Sequence, residues 1–334
     1  MTNNLNSAPV SSAPKYVGRA VLLGLTAMAL VAPMPLGAGR LGGMRADRAI
    51  LFKLATNERL EQLVKGVPGG EENAWRAASR YVAGRTRDEA LTVAGEQLGK
   101  GHGISLDLFG EMSTDPAEAV RVADEYVELT KLVPAPPADV WLSLDLSHLA
   151  LDVDPAGAAD QVARIAEALP PGRLLQIGAE DTASTDKILQ CVLEVAGRGL
   201  ADRLGATVQA NLLRSPEDID RLASAGVQIR LVKGAYIEAA GAHPYGEPTD
   251  IAYLRLAHQL AASGARWSLA THDGRLREAV LLSLGPVPVE QLLGVRPEVL
   301  DDLHARDIPT RVYIPYGPDW FRYWLRRVAE SRGA

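Results

Sequence analysis

The chain has 334 residues, 47% hydrophobic and 23% charged, ordinary globular proportions that exclude a disordered chain, a coiled coil and a small disulfide scaffold. A formal charge of -6 and a pI near 5.6 give no basic field for a polyphosphate backbone, so nucleic acid is not an expected partner and small molecules are. Cys191 is the single cysteine; it can form no internal disulfide, suits core packing, and fits a reducing, cytoplasmic setting.

Residues 1–43 stand apart as an extension. Thr2 to Pro14 is rich in Ser, Asn, Ala and Pro, the composition of a disordered segment, and Lys15 and Arg19 then precede an uncharged run from Ala20 to Gly39. That layout is signal-like. An export signal, a helix on the membrane surface and a translation start at Met44 all remain open. Pro33 and Pro35 confine any helix to Arg19 through Ala32, short of the ~20 residues a bilayer requires. Gly37, Gly39 and Gly42 spell G-x-G-x-x-G, but those prolines occupy the place of the strand a dinucleotide site needs, so the match is read as fortuitous.

Residues 44–103 are expected to be a helical segment, with a turn at Val67-Pro68-Gly69-Gly70. From residue 104 to the end, apolar runs alternate with stretches of helical periodicity. Eight runs are predicted strands: Ile104–Phe109, Val140–Leu146, Leu174–Ala179, Ala206–Leu212, Gln228–Lys233, Trp267–His272, Val287–Leu293 and Arg311–Tyr316. Continuous apolar runs suit strands covered on both faces, hence a parallel sheet. Eight of them predict an α/β fold, a (β/α)8 TIM-like barrel preceded by N-terminal helices. The seventh run is interrupted by Pro286 and Pro288. Asp115-Pro116-Ala117-Glu118 and Ser215-Pro216-Glu217-Asp218 each read as a helix start with an acceptor at the N-cap and proline behind it, and Gly226 as a left-handed stop.

In such a barrel the C-terminal strand ends carry the site. Asp107, Gln209, Lys233, Thr271 and His272 fall at or near those ends, Arg230 lies within the fifth run and Tyr313 within the eighth. A charge inside an apolar strand is costly unless paired, so Arg230 is read as functional, with an internal ion pair to Asp107 or Glu180 as the structural alternative. In the last predicted helix Tyr323, Arg326 and Arg327 stand at i, i+3 and i+4, one face carrying a phenol and two guanidinium forks suited to a carboxylate. A solvated basic helix end is the alternative; the flanking Trp320, Phe321 and Trp324 favour a docked helix. The six histidines show no zinc-like spacing, so no metal is expected.

Arg230-Leu231-Val232-Lys233-Gly234-Ala235-Tyr236, Ala270-Thr271-His272-Asp273, Tyr313-Ile314-Pro315-Tyr316-Gly317 and Tyr323-x-x-Arg326-Arg327 resemble signature segments of the proline dehydrogenase family, in its monofunctional bacterial form. Ser105-Leu106-Asp107-Leu108-Phe109-Gly110-Glu111 and Arg80-Tyr81-Val82-Ala83-Gly84 extend the likeness, which runs from about residue 46 to 330. The resemblance implies FAD-dependent oxidation of L-proline to 1-pyrroline-5-carboxylate, with electrons passed to a membrane quinone. It implies a cytoplasmic protein, with a peripheral position on the inner face of the membrane as the variant. Carried onto this sequence, Arg326 and Arg327 clamp the substrate carboxylate with Lys65 as a third cation, and Ala235, Tyr313 and Tyr323 line the pocket. Asp107 orders the site and Arg230 approaches the flavin. Leu108, Gln209, Val232, Lys233, Gly234, Ala235, Tyr236, Thr271, His272 and Glu330 hold the cofactor.

The sequence also departs from that pattern. Asp145 stands where a lysine is common, Gly178 where an aspartate is usual, Asn211 where an aromatic is common, and the seventh strand matches poorly. Two rival readings follow from the residues alone. One is a lyase whose Lys233 forms a Schiff base with a carbonyl substrate; the other is a catalytically silent binding protein on the same barrel.

Overall fold

A computed structural model of the chain describes residues 58–331, apart from 135–137, 237 and 239. The expectations for residues 1–43, including the glycine motif, lie outside the described residues. The described residues fall into two compact units, one of residues 78–323 and one of residues 58–77 with 324–331.

The first unit is a closed barrel of eight parallel strands in sequential order: β1 (Gly103–Leu108), β2 (Val140–Leu144), β3 (Leu175–Ile177), β4 (Leu204–Gln209), β5 (Gln228–Val232), β6 (Trp267–Ala270), β7 (Val289–Leu292) and β8 (Thr310–Tyr316). β8 pairs with β1 from Gly103↔Arg311 to Leu108↔Tyr316, so no edge is left open. Helices α3 (Arg87–Gly99), α4 (Pro116–Leu132), α5 (Pro155–Ala168), α6 (Thr182–Val195), α7 (Ser215–Ser224), α8 (Glu247–Ser263), α9 (Gly274–Leu284) and α10 (Pro297–Ala305) connect and cover the strands. The second unit contains α1 (Glu58–Gly66) and nearly all of α2 (Gly70–Ala78), joined by the expected turn, whose Gly69 has φ +73°. The last helix, α11 (Trp320–Ser331), starts in the barrel unit and continues beyond it.

All eight expected strands are present, with shifted ends. β4 starts at Leu204, two residues early, and stops at Gln209. β7 begins only after Pro288, which lacks an amide donor yet still accepts from Leu269 N at 2.8 Å. Asp115 caps α4 as expected, accepting from Ala117 N at 2.9 Å. Ser215 does not cap α7: it lies inside the helix behind Arg214, and its hydroxyl donates to the Gln209 carbonyl instead. Gly226, at φ +78°, does stop that helix.

Ile104, Leu106, Leu142, Leu144, Ile177, Leu231, Leu269 and Ile314 are fully or almost fully buried, forming one core with the inner faces of the helices. Tyr126 of α4 ties β1 to β2: its hydroxyl donates to Ser143 O at 2.6 Å and accepts from Leu108 N at 3.0 Å. Tyr126→Phe is expected to cost ~1–3 kcal/mol, because it orphans two buried backbone groups. Denaturant unfolding measures this directly, and an unchanged midpoint would mean that solvent satisfies both.

Arg311, the second residue of β8, lies at the opposite, N-terminal end of the barrel. It donates to Ile104 O at 2.7 Å, pairs with Asp139 and lies 3.4 Å from the Trp141 ring centroid. Burial depresses its pKa, against the pull of Asp139. In a barrel, a buried charge at that end serves stability rather than chemistry.

Candidate active site

At the C-terminal end of β1 the strand carries Asp107, 3% exposed. Its carboxylate accepts the Tyr313 hydroxyl at 2.7 Å, a contact built by neighbouring strands, since β8 lies beside β1 in register. Burial, then the charge of Asp107, raises the Tyr313 phenol well above its ordinary range, so it stays a neutral donor. The Tyr323 ring stacks on Tyr313 with centroids 6.3 Å apart, and Phe109 meets Tyr323 edge-on at 5.1 Å. An acceptor carboxylate is thus set against an aromatic wall. The Arg80–Gly84 segment joins β8 here: Ala83 N donates to Pro315 O at 2.9 Å and Gly317 N to Gly84 O at 3.0 Å.

Arg230 is paired internally, but neither to Asp107 nor to Glu180. Its partner is Glu290 on β7, reached at 2.8 Å by Nε and 2.7 Å by Nη2. The sequence reading missed this carboxylate because the prolines before β7 blurred the strand that presents it.

The ends of β4, β5 and β6 form a continuous polar rim. Gln209 is buried and donates to Glu180 O at 2.8 Å. Leu108 N is held by Tyr126, and Val232, Lys233, Gly234, Ala235 and Tyr236 follow one another half-buried at the end of β5. Gly234 has φ +103°, and a Cβ there would lie 1.9 Å from Asn211 Oδ1, so conformation and packing both demand glycine. Asn211 Oδ1 is buried and has no hydrogen-bond partner among the described residues. Thr271 Oγ1 accepts from Asp273 N at 3.0 Å, and His272 Nε2 accepts from Leu292 N at 3.4 Å.

Lys233 Nζ sits 2.6 Å from Asp250 Oδ1 and 3.3 Å from Asp273 Oδ2. Burial opposes its charge, but the bond and attraction of Asp250 outweigh that, and its pKa is raised. A Schiff-base lysine needs a depressed pKa; this ammonium is held protonated, which weighs against the lyase reading.

Glu180 lies beside this rim and accepts Ser147 N at 3.0 Å. Burial, then repulsion from Asp145, pushes its carboxyl up to about 7. The folded state therefore binds this proton more tightly than the unfolded chain, and the associated stability is lost as pH rises from the ordinary glutamate range through about 7. Glu180→Gln, which mimics the protonated acid, is expected to raise Tm at about pH 8 and leave it nearly unchanged at about pH 5. Equal effects at both pH values would mean that Glu180 titrates as an ordinary carboxylate.

Tyr323, Arg326 and Arg327 all lie in α11 with helical i, i+3 and i+4 spacing, and both arginines are half-buried. Tyr323 is the last residue of the barrel unit, and the arginines belong to the other. Lys65 ends α1 and pairs with Glu61 at 2.7 Å. Glu330 is in α11, but its side chain lies outside the described ones.

Residues 90–334 match the family described as proline dehydrogenase. The chain belongs to the proline dehydrogenase family. It is 30% identical over 296 residues to proline dehydrogenase of Deinococcus radiodurans and 32% identical over 296 residues to proline dehydrogenase 1 of Bacillus subtilis, covering 85% of this chain and 94% of each relative. Among solved structures, proline utilization A from Bdellovibrio bacteriovorus, inactivated by N-propargylglycine, has the same fold with a TM-score of 0.71 at 18% identity; the match covers 94% of this chain but 41% of that one. A variant of proline utilization A from Bradyrhizobium japonicum gives 0.66 at 22% identity, covering 82% and 33%.

Within the proline dehydrogenase pattern, the departures at 145 and 178 prove to be linked. A Cβ on Gly178 would lie 1.8 Å from Asp145 Oδ1. The carboxylate that follows β2 occupies the space a side chain following β3 would need.

Proposed function

We propose that the chain oxidises L-proline to 1-pyrroline-5-carboxylate, using bound FAD and passing the electrons to a membrane quinone. The observation that carries this reading is the buried Asp107–Tyr313 pair with Tyr323 stacked on it at the C-terminal end of the barrel.

Features of the β4–β5 rim fit a flavin. The orphaned acceptor Asn211 Oδ1 needs a donor, and Arg230 presents a cation in the interior. Gln209, Arg230, Lys233, Gly234, Thr271 and His272 are the residues that would hold it, with Leu108, Val232, Ala235, Tyr236 and Glu330 beside them. When bound, the flavin supplies the two-electron acceptor that side chains cannot.

The chain supplies position and charge. Arg326 and Arg327 grip the substrate carboxylate with planar forks, Lys65 adding a third cation, and this grip fixes the orientation of the ring. Tyr313, Tyr323 and Ala235 wall the ring and exclude water. Asp107, its Oδ2 already accepting from Tyr313, orders the polar side of the pocket. No nucleophile is required. No described helix is long and apolar enough to cross a membrane; on this reading the protein meets the quinone peripherally, at the inner membrane face.

The test is the visible spectrum of purified protein before and after anaerobic addition of L-proline. Flavin absorbance that bleaches is the expected result. A colourless protein, or a yellow one that proline leaves unchanged, would reject the reading.

A further inference from the structure

We infer that Glu290 is a positioning residue for Arg230 and, by neutralising its charge, sets the reduction potential of the flavin; the inference rests on the function proposed above. Arg230 and Glu290 have side chains only 9% and 3% exposed. Both guanidinium contacts, from Nε at 2.8 Å and Nη2 at 2.7 Å, fall on the same oxygen, Oε2. The other oxygen, Oε1, accepts the hydroxyl of buried Ser268. Ser105 Oγ takes a further bond from Nη2 at 3.3 Å. Four strands, β1, β5, β6 and β7, therefore fix one guanidinium, leaving Nη1 with no hydrogen bond among the described residues.

This arrangement has an electrostatic consequence. A lone cation beside a ring that gains electrons stabilises the reduced form. An anion bonded directly to that cation cancels much of the field at any point farther away, and in a poorly solvated interior the cancellation is felt strongly. Glu290 thus holds Arg230 in place while keeping the reduced flavin from being overstabilised, which leaves it able to pass its electrons on. An uncharged glutamine at 290 would keep a hydrogen-bond acceptor for Arg230 and lose the anion.

The experiment is an anaerobic spectroelectrochemical titration of the flavin-loaded full chain, comparing the parent, Glu290→Gln, Glu290→Asp, Arg230→Met and the Arg230→Met/Glu290→Gln double variant. Glu290→Gln is expected to favour the reduced flavin at least tenfold, ~30 mV upward for a two-electron couple. The same substitution on top of Arg230→Met is expected to move the potential by less than half as much as it does alone. An unmoved potential in flavin-loaded Glu290→Gln would overturn the inference, as would a full shift without Arg230, since Glu290 would then act on the ring directly. If Glu290→Gln does not fold, Glu290→Asp, whose shorter arm loosens the pair, carries the test with a smaller shift of the same sign, and no shift there overturns the inference too. A parent protein that takes up no flavin overturns both this inference and the function beneath it, whereas a flavin-loaded parent with unresponsive variants overturns the inference alone.

Discussion

Arg326→Met and Arg327→Met are each expected to raise the KM for L-proline tenfold or more. Each guanidinium can give a carboxylate two parallel charge-assisted bonds, and losing a bond to a charged group costs ~1.5–3 kcal/mol; each ~1.4 kcal/mol is a factor of ten. Methionine keeps the aliphatic stem and a good helix propensity, so α11 should persist and the effect should be one of charge. The two positions lie within one turn of the same helix, so the double variant should lose more than the product of the singles if one fork compensates for the other. Steady-state kinetics with an artificial electron acceptor reads these values. An unchanged KM in both single variants would mean that the carboxylate is bound elsewhere.

Arg230→Ala is expected to act on both stability and chemistry. Removing the guanidinium leaves Glu290, 3% exposed, as an unpaired buried carboxylate, and breaking a buried pair from one side costs ~3–5 kcal/mol. Adding Glu290→Gln should recover part of that loss, because the stranded charge goes with it. Denaturant unfolding of the two single variants and the double closes the cycle; an Arg230→Ala midpoint equal to that of the parent would mean that water reaches the pair. In stopped-flow traces the same variant should reduce its flavin more slowly while proline binding changes little. Normal reduction would remove Arg230 from the active site.

The barrel was legible because each strand is a short apolar run bounded by helix punctuation, a local signal. Its contacts were less so. Arg230 and Arg311 look alike in the sequence, each a charge in an apolar run, yet one pairs with Glu290 in the interior while the other braces the N-terminal end against Asp139 and Trp141. Only the register of a closed barrel separates them. Glu290 is 60 residues from Arg230 in the chain, and its strand was the one expected to match poorly, so no spacing rule could pair them. Asp107 and Tyr313, 206 residues apart, could be placed together because closure makes the first and eighth strands neighbours. The cap misplaced at Ser215 has a similar origin: its hydroxyl answers to the Gln209 carbonyl, a demand of the loop that propensity does not see.

The carboxylate lodged in the hollow left at Gly178 makes those two sites mutually dependent. A side chain at residue 178 has to displace the Asp145 carboxylate, so its cost is set by how freely that carboxylate can rotate away. Residues 145 and 178 therefore form one packing unit across the strand ends, and a substitution at either is read through the space left by the other.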